Sequence, residues 1–397
     1  MILIASSLFK PEPVVSALIS FDIAEYLSKE SDTGVVVVSP RASRPSGAKY
    51  NYQELINSSF EQVIVNSYVS PESSLFGRLK ESYSFGKKLK AYIEMNNKSI
   101  EVVYANVWPI FSQFMLARTC RKYKIPYLLH VQDIYPESLT NRLGPLKNIF
   151  TKLFLPLDRY ILSNAKCVIT ISEQMKSYLI KTRNLDNSKV KLVRNWQNDS
   201  IFNYDSNSHK FNEIFTFMFV GSINKTANVD NIVRAFGELN PSNAKLVIAG
   251  DGPDKGKVIS LANNYNANIE FLSVLPSDVP KLQSEADILV LALKKGVGST
   301  ALPSKLTAYM LSSKPIVVSV DMTSEVANII RDSNCGWVVE AENNECLQNL
   351  FIDILKLDKE NIKSIGENSY SFALENLTKD RNLKKIVDLL QNLRRKL

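Results

Sequence analysis

The sequence predicts an α/β protein built from two doubly wound parallel sheets. Thirteen short apolar runs alternate along the chain with segments whose apolar residues recur at helical spacing, and this rhythm is typical of repeated strand–helix units. Most of the runs are continuous rather than alternating, as expected for strands that are buried on both faces of a parallel sheet. One polar stretch, at residues 198–213, interrupts the rhythm and separates seven runs from six.

The elements follow one another along the whole chain. The predicted strands of the first half are residues 2–5, 35–38, 63–65, 102–104, 127–131, 168–171 and 190–193. Those of the second half are residues 215–220, 246–249, 269–272, 288–291, 316–320 and 337–339. Helical spacing is found at residues 17–27, 111–122, 173–180, 228–236 and 325–330. The end of the chain, 361–397, predicts two helices, and the second, 379–393, is amphipathic and basic. Such a helix could bind a membrane surface or pack back across the domains, and we prefer the second interpretation.

The chain length indicates two domains, because one core rarely grows beyond about 250–300 residues. We predict an N-terminal domain at residues 1–198, a linker at 199–213 and a C-terminal domain at 214–375, followed by a C-terminal helix at 376–397 that packs back toward the first domain. Two similar open sheets joined by a linker predict a cleft between the carboxyl ends of their strands, where ligands of such folds bind.

Hydropathy and cysteine usage restrict the class of protein. No stretch approaches the roughly 20 apolar residues that cross a bilayer. Residues 1–9 run directly into Lys10-Pro11-Glu12, so we interpret them as a buried strand rather than a signal peptide. The four cysteines are scattered: Cys120, Cys167, Cys335 and Cys346. Their spacing supports neither zinc ligation nor a disulfide framework, and we expect reduced cysteines in a cytoplasmic protein.

The positive charge lies in the first half of the chain. The net charge is +8, and residues 1–200 carry 26 Lys and Arg against 17 Asp and Glu, whereas residues 201–397 carry 22 against 23. The basic residues are not interleaved with aromatic ones and no nucleic-acid motif is present, so we expect no nucleic-acid partner. An anionic membrane surface and a phospholipid-linked ligand fit the basic half equally well, and a merely solvated basic face is the alternative.

Two glycine-containing segments follow predicted strands of the second half. The first, Gly221-Ser222-Ile223-Asn224-Lys225, allows a ligand to approach the backbone and places a lysine where it can meet phosphate oxygens. The second is Gly250-Asp251-Gly252-Pro253, whose glycines permit positive φ while the proline turns the chain. A tight turn with a solvated side chain remains the alternative interpretation of both segments.

A loop of small residues leads into a predicted helix at residues 296–306. Ser299 and Thr300 precede Pro303, which suits the first turn of a helix. Ser304 and Lys305 would then lie in that turn, where free amide groups bind anions. This is the strongest indication of a diphosphate site in the sequence.

The chain contains two histidines. His209 lies in the predicted linker, whereas His130 ends a buried strand and is followed by Asp133 and Glu137. A histidine and an aspartate three residues apart at a strand end can handle an acceptor hydroxyl. A buried, hydrogen-bonded histidine without a catalytic role is an equal alternative.

These segments, in this order and spacing, resemble the retaining GT-B glycosyltransferases of family 4. The resemblance rests on Phe219-Val220-Gly221 with Lys225, Ala249-Gly250-Asp251-Gly252-Pro253, Glu270-Phe271-Leu272-Ser273-Val274-Leu275-Pro276, Glu285-Ala286-Asp287-Ile288-Leu289-Val290, Pro303-Ser304-Lys305, Tyr309-Met310 and Lys314-Pro315-Ile316-Val317. In the first half, His130, Asp133-Ile134-Tyr135-Pro136-Glu137, Ile171-Ser172-Glu173-Gln174-Met175 and Val193-Arg194-Asn195-Trp196 resemble the branch that contains fucosamine-transferring enzymes of O-antigen and capsule assembly. The implied fold is GT-B, with two Rossmann-like domains facing across a cleft.

The resemblance implies a role for each candidate residue. Lys225 and Lys305, with the amides near Ser304, would hold the donor diphosphate and serve catalysis together with His130, which would lie near the transferred sugar. The implied donor-binding residues are Gly221, Ser222, Lys225, Gly250, Asp251, Gly252, Ser273, Val274, Leu275, Ser299, Thr300, Pro303, Ser304 and Lys305. The acceptor side would consist of Pro13, Trp108, His130, Asp133 and Glu137. The implied donor is a nucleotide sugar, with UDP as the expected nucleotide, and no metal or other cofactor is expected.

Two departures from the family pattern stand out. Family members carry two glutamates eight positions apart, and the corresponding residues here are Thr300 and Ala308. The second glutamate normally holds the ribose, so the nucleotide must be bound differently. The glycine-rich loop that normally follows the first strand is replaced by Phe9-Lys10-Pro11-Glu12-Pro13, which leaves the acceptor undetermined.

Three functions are compatible with these features. The first is a retaining transferase that extends a lipid-linked oligosaccharide at the inner membrane face, in capsule, O-antigen or exopolysaccharide synthesis. The second is a non-catalytic GT-B scaffold subunit of a glycosyltransferase complex, which the missing glutamates favour. The third, a nucleotide-sugar epimerase, is disfavoured because no carboxylate cluster is evident.

Overall fold

The protein forms two compact units, each built around one parallel sheet. The computed structural model describes residues 1–397 except 31, 44–49, 51–57, 71–74, 108–109, 141–143, 145–146, 197–198, 200–201, 203–212, 298–302 and 395–397. The first unit contains Met1–Arg194 together with Asn382–Leu397, and the second contains Asn195–Arg381. Each of the thirteen predicted strands is present, seven in one sheet and six in the other, which confirms the predicted α/β class.

The first sheet contains seven parallel strands. They are β1 (Ile2–Ser6), β2 (Val35–Pro40), β3 (Glu61–Val65), β4 (Val102–Asn106), β5 (Tyr127–Val131), β6 (Cys167–Thr170) and β7 (Val190–Leu192). Their spatial order is β3-β2-β1-β4-β5-β6-β7. The order reverses between β1 and β4, and open sheets of this kind bind ligands at the carboxyl ends of the strands beside such a reversal.

Helices connect these strands. They are α1 (Val15–Glu30), α2 (Leu75–Asn96), α3 (Phe111–Lys122), α4 (Glu137–Thr140), α5 (Lys147–Asn164) and α6 (Glu173–Arg183). Ser172 caps α6 by accepting a hydrogen bond from the amide of Met175 at 3.0 Å, and Asn184 ends the helix in the left-handed conformation. Both are ordinary boundary signals, and they give α6 the position that the sequence predicts.

The second sheet contains six parallel strands. They are β8 (Phe215–Val220), β9 (Ala244–Ala249), β10 (Ile269–Leu272), β11 (Ile288–Ala292), β12 (Ile316–Val320) and β13 (Gly336–Glu340), in the spatial order β10-β9-β8-β11-β12-β13. The order reverses between β8 and β11. Its helices are α7 (Val229–Leu239), α8 (Lys255–Ala262), α9 (Val279–Ser284), α10 (Ser304–Leu311), α11 (Glu325–Asp332), α12 (Asn344–Ile354) and α13 (Lys359–Asn376).

The continuous apolar character of the strands has a direct structural cause. Along β8, Phe217 and Phe219 belong to one buried cluster, whereas Met218 and Val220 belong to another. Successive side chains of a strand point to opposite faces of the sheet, so both faces of β8 are covered by apolar side chains. Phe217 packs on Phe351 of α12 with a ring-centroid distance of 4.6 Å.

The chain ends with the helix α14 (Lys379–Leu393), the second of the two helices predicted for this region. The residues from Asn382 onward belong to the first unit. Arg394 donates to Glu101 at 2.6 Å and also to Thr33, and Glu101 additionally accepts from the amino terminus of Met1 at 3.0 Å. Among the helices that the structure describes, none combines the length and the hydropathy that a bilayer-spanning segment requires.

Candidate functional site

The loops at the carboxyl edge of the second sheet are held together by backbone hydrogen bonds. The amide of Gly221 donates to Ala249 at 2.8 Å, and the amide of Gly250 donates to Leu272 at 2.8 Å. Beyond the strands, Ile223 donates to the carbonyl oxygen of Asp251 at 2.9 Å. The ladder that joins β8, β9 and β10 therefore continues into the loops that follow them.

Two glycines allow this close packing of the loops. A Cβ atom on Gly250 would lie 2.1 Å from the carbonyl oxygen of Gly221, and one on Gly252 would lie 2.1 Å from that of Ile223. Their φ values, 142° and 157°, are accessible to glycine and strained for other residues. Both glycines are predicted donor-site residues, and the structure gives them a role in supporting the loop of Gly221 and Ser222.

Lys305, the second residue of α10, lies across Gly221. A Cβ atom on Gly221 would lie 2.0 Å from Cε of Lys305, so the glycine makes room for the lysine side chain. The ammonium donates to the carbonyl oxygen of Ser222 at 3.1 Å and lies 4.8 Å from the ring centroid of Phe219. The structure thus brings together three of the predicted donor-site positions: Gly221, Ser222 and Lys305.

The ammonium of Lys305 is partly desolvated. Among the described residues, no carboxylate lies within ion-pair distance of it, and burial lowers its pKa to about 8. A buried cation is costly unless an anion accompanies it. An anionic ligand at this position would supply the missing charge.

The start of α10 lies beside this lysine. Pro303 is the N-cap residue, and no side chain caps the first turn. The amides of that turn are consequently suited to an anion. The predicted residues Ser299 and Thr300 lie outside the described residues, as does the side chain of Ser304.

A second lysine at this edge was not found by the sequence analysis. Lys255 donates to the carboxylate of Asp251 at 2.7 Å and to the hydroxyl of Ser273 at 2.8 Å. The hydrogen bond from Lys255 lowers the pKa of Asp251. Lys255 follows Asp251 by four residues at the start of α8, and this spacing is the feature of the sequence that indicates the pair.

The predicted donor-site residues after β10 differ in exposure. Leu275 is 67% exposed, whereas Val274 packs partly against the core.

The structure does not bring Lys225 into contact with Lys305 in the part of the chain that it describes. Lys225 is exposed and lines a separate cavity of about 110 Å³, together with Asp254, Lys257 and Lys294. The family resemblance implies one diphosphate site for both lysines. Lys305 is the better placed of the two, because its ammonium is partly buried and the described residues bring no carboxylate within ion-pair distance of it.

The segment Tyr309-Met310 of the resemblance has a structural role here. The hydroxyl of Tyr309 donates to the carbonyl oxygen of Val220 at 3.0 Å and accepts from the amide of Val220 at 2.8 Å. This pair of bonds anchors the end of β8 to α10. Ala308, which stands where the family pattern has a glutamate, is buried in the core.

His130 lies in a pocket at the carboxyl edge of the first sheet. The pocket has a volume of about 190 Å³, and its lining includes Ser7 after β1, Asn106 at the end of β4, Gln132 and Asp133 after β5, and Arg78 of α2, besides His130 itself. It lies at the reversal of strand order between β1 and β4. The prediction that His130 ends a buried strand is confirmed.

Hydrogen bonds surround His130 and its neighbour Tyr104. The hydroxyl of Tyr104 lies 2.7 Å from Nδ1 of His130 and is also hydrogen-bonded to Ser20. Ser6 donates to the carbonyl oxygen of Leu8 at 2.6 Å, and its hydroxyl lies 2.9 Å from that of Ser20.

The contact with Gln132 indicates which nitrogen of His130 carries the proton. An amide nitrogen can only donate, so Nε2 accepts from Gln132 at 3.1 Å and the proton of the neutral ring lies on Nδ1, facing Tyr104. Burial lowers the pKa of His130 to about 3, so the imidazole is neutral at physiological pH. Tyr104 and Gln132 thus hold the ring on both sides, and it is a weak base toward an acceptor hydroxyl.

Glu137 belongs to a cluster of charged side chains rather than to the lining of this pocket. Arg183 of α6 donates to Glu137 at 2.7 Å and to Asp158 of α5 at 2.6 Å, and Tyr178 donates to the other oxygen of Glu137 at 2.7 Å. Burial opposes ionisation of Glu137, but the hydrogen bonds from Arg183 and Tyr178 lower its pKa below the usual value. The geometry assigns Glu137 to anchoring α4.

The remaining acceptor-side predictions have different outcomes. Asp133 lines the His130 pocket with Arg78; partial burial raises the pKa of Asp133, and the charge of Arg78 opposes this. Pro13 is exposed between β1 and α1 and is not among the residues that line the pocket. Trp108 lies outside the described residues.

Across the described ranges, no three His, Cys, Asp or Glu side chains group as metal ligands. Metal independence stays a prediction.

Comparison with known proteins identifies the family. The model of the glycosyl transferases group 1 matches residues 202–372, and that of glycosyltransferase family 4 matches residues 20–199. Together the two matches cover most of the chain. The chain belongs to the group 1, family 4 glycosyltransferases. The family named by the sequence resemblance is thereby confirmed, whereas the branch and retention stay predictions.

Curated relatives of this glycosyltransferase are distant. The probable glycosyltransferase WbjE of Pseudomonas aeruginosa is 25% identical over 261 residues, which is 62% of this chain and 64% of that protein. An uncharacterized glycosyltransferase of Methanocaldococcus jannaschii is 23% identical over 68% of this chain and 70% of its own length. The chain therefore aligns with about two thirds of the length of each relative.

Solved structures confirm the fold of this glycosyltransferase. HepE of Anabaena, crystallised in complex with UDP, is similar with a TM-score of 0.68 at 15% identity, over 98% of this chain and 99% of that one. WaaG, a glycosyltransferase involved in lipopolysaccharide biosynthesis, is similar with a TM-score of 0.63 at 15% identity, over 98% and 99%. The fold is GT-B, with two Rossmann-like domains, as the sequence resemblance implies.

The close packing at Gly250 predicts a large loss of stability on substitution. We expect Gly250→Ala to lower the free energy of unfolding by about 3 kcal/mol or more, since the new methyl group meets backbone that cannot shift. Urea denaturation measures this loss. Gly256→Ala is the matched control: a Cβ atom there meets nothing within 4 Å, and alanine favours helix α8 by up to about 1 kcal/mol. Equal effects of the two substitutions would contradict the packing role.

The assignment of Glu137 predicts a stability effect as well. Glu137→Ala leaves the buried Arg183 with only one carboxylate partner, so the free energy of unfolding should fall by about 1–3 kcal/mol. Glu25→Ala, which removes an exposed pair with Lys29 in α1, should change it by less than about 0.5 kcal/mol. A stable Glu137→Ala protein with impaired transfer would instead restore Glu137 to the acceptor side.

Proposed function

We propose that this protein transfers a sugar from a UDP-linked donor, with retention, to a lipid-linked oligosaccharide in the synthesis of capsule, O-antigen or exopolysaccharide. The observation that carries the proposal is the partly buried ammonium of Lys305, which has no counter-ion among the described residues and lies beside the start of α10. The family membership and the UDP present in the HepE crystals agree with a nucleotide-sugar donor.

Lys305 is suited to stabilise a departing diphosphate. Transfer of the sugar leaves additional negative charge on the oxygens of the diphosphate, and a fixed cation aimed at that charge contributes about 3 kcal/mol to the transition state. Gly221 and Ser222 hold the ammonium in place through the contacts described above. We assign Lys305 as the catalytic cation that also takes over the role of a metal ion.

The loops around this lysine would complete the donor site. Ser273, Val274 and Leu275 follow the edge strand β10, and the exposed Leu275 offers an apolar surface to a nucleobase. Asp251 is held by Lys255 at the neighbouring loop. Because Ala308 cannot hold the ribose hydroxyls as a glutamate would, Asp251 and Ser273 are the polar groups that we propose for the ribose.

The first unit would supply contacts to sugar hydroxyls. His130 lines the pocket beside Asp133 and Arg78, which offer charged groups there. Burial lowers the pKa of His130 to about 3, which disfavours His130 as a general base at neutral pH. This supports a retaining transfer in which the departing diphosphate, rather than an imidazole, receives the proton of the acceptor.

The proposed acceptor and cellular location rest on a similar structure and on the charge of the first half of the chain. WaaG is named for lipopolysaccharide biosynthesis, and the first 200 residues of this chain carry a charge of +9, from 26 basic and 17 acidic residues. A basic surface favours an anionic membrane and a lipid-diphosphate carrier. We therefore propose a cytoplasmic enzyme that works at the inner face of the membrane.

A scaffold without catalytic activity is the second candidate. Its supporting observation is the buried Ala308 in place of the family's glutamate. The two candidates differ in one measurable property, the binding of a nucleoside diphosphate by the isolated chain. Saturable binding of UDP supports the transferase, and failure to bind UDP or any other nucleoside diphosphate supports the scaffold.

Removal of the Lys305 ammonium tests the proposed site. We expect Lys305→Ala to lower turnover with a panel of UDP-sugars and a lipid-diphosphate acceptor by about 100-fold or more, with calorimetry reporting weaker UDP binding. Lys363→Ala, which removes an exposed lysine from α13, serves as the control and should behave as the wild type. Normal turnover of a folded Lys305→Ala protein would show that the diphosphate binds elsewhere.

The pKa of His130 predicts the pH dependence of transfer. A group with a lowered pKa stays neutral as the pH falls through the usual histidine range, so the transfer rate should show no His130 inflection between about pH 5.5 and 7.5. The comparison is the pH profile of His130→Gln. An inflection near the ordinary histidine pKa that is present in the wild type and absent from His130→Gln would show that His130 works as an acid or base.

A further inference from the structure

The first unit contains a second, larger cavity at the edge of its sheet opposite to the His130 pocket. Its volume is about 850 Å³, and it includes Tyr127, the first residue of β5. His130 lies near the other end of the same strand. The cavity is also lined by Leu393 of α14, which belongs to the first unit. We call this cavity the basal basin.

The basal basin is strongly basic. Arg121, Lys124, Lys166 and Lys189 line it, and Asp186 is the carboxylate of the lining. Asp186 accepts from the amide of Ser188 at 2.7 Å, and its negative charge also acts on Lys189. In the described part of the chain, no carboxylate lies within ion-pair distance of the four cationic side chains, although other surface lysines have such partners.

The topology of the sheet explains why these cations meet. Lys124 lies in the turn before β5, Lys166 directly precedes β6, and Lys189 directly precedes β7. In a parallel sheet the starts of neighbouring strands lie at one edge, so three lysines from distant parts of the sequence share it. Their mutual repulsion opposes folding, and a bound anion would relieve it.

Lys189 is held at the basin by a hydrogen bond. Its ammonium donates to the carbonyl oxygen of Ser163 at 2.6 Å, and Ser163 lines the basin as well. Burial lowers the pKa of Lys189 and the positive charge of Lys166 lowers it further, while the charges of Cys167 and Asp186 oppose this. Lys166 and Lys189 thus line one cavity and act on each other electrostatically.

We propose that the basal basin binds a dissolved polyphosphate anion, such as pyrophosphate or a nucleoside diphosphate, at a site separate from the donor and His130 sites. The volume is that of a pocket for a ligand of nucleotide size. Several phosphate oxygens match four cations that line one cavity from the end of α3, the turn after it and the segments before β6 and β7. A lipid headgroup carries the same phosphate chemistry. The dissolved anion is favoured because the basin is concave and none of the large exposed apolar side chains lines it.

Protection from lysine acetylation tests the inference at the level of single residues. The full chain is treated with an acetylating reagent, with and without pyrophosphate, and each lysine is quantified by peptide mass spectrometry. Lys124 and Lys166 should be acetylated more slowly with pyrophosphate, whereas Lys87 and Lys90 of α2 should not change. Because the readout belongs to named lysines, it does not depend on whether UDP binds near Lys305.

Two paired variants complete the experiment. In calorimetry, Lys124→Ala/Lys166→Ala should weaken pyrophosphate binding by about tenfold or more, whereas Lys87→Ala/Lys90→Ala removes the same charge outside the basin and should not. A parallel arm replaces pyrophosphate with vesicles of phosphatidylcholine and phosphatidylglycerol. Protection by vesicles but not by pyrophosphate would overturn the proposal and assign the basin to a membrane. Equal protection of all lysines by pyrophosphate, or protection of none, would also overturn the proposal, because pyrophosphate would then show no preference for the lysines of the basin.

Discussion

The contact between Lys305 and Gly221 is the interaction on which the candidate donor site depends. The lysine side chain crosses the glycine where a Cβ atom would lie 2.0 Å from its Cε, and this places the ammonium on the carbonyl oxygen of Ser222. The same contact removes water from the ammonium without providing a carboxylate. A bound anion would supply the ion pair that the desolvated ammonium lacks among the described residues. The free energy spent on desolvating the lysine during folding would then favour binding of the ligand.

The neighbouring backbone keeps this contact in place. Gly250 and Gly252 let the loop after β9 press against the loop that carries Gly221, and Tyr309 ties the end of β8 to the helix that carries Lys305. These contacts tie the two loops to the helix. A cation held in this way suits a site that must stabilise charge in a transition state, because it need not reorganise during the reaction.

The sequence predicted the elements better than the roles of individual side chains. The strands were found because β8 and its neighbours are apolar on both faces, and Lys305 because a proline precedes its helix. The role of Gly250 depends on a carbonyl group 29 residues earlier in the chain, and the pairing of Glu137 with Arg183 depends on the packing of α4 on α5 and α6. Neither contact is encoded by local spacing, so both glycine and glutamate were assigned to ligands. Lys225 was placed beside Lys305 by family resemblance, and the geometry separates their surroundings.

The most direct measurement is the titration of the Lys305 ammonium by NMR, with isotopically labelled lysine and with Lys305→Arg to assign the signal. We predict a pKa of about 8 in the free protein, below the ordinary 10.5, and a marked rise in that pKa when UDP binds, because an adjacent anion favours the charged form. A signal that titrates near 10.5 and does not respond to UDP would show that this lysine is a solvated surface group, and the donor site would have to be sought elsewhere.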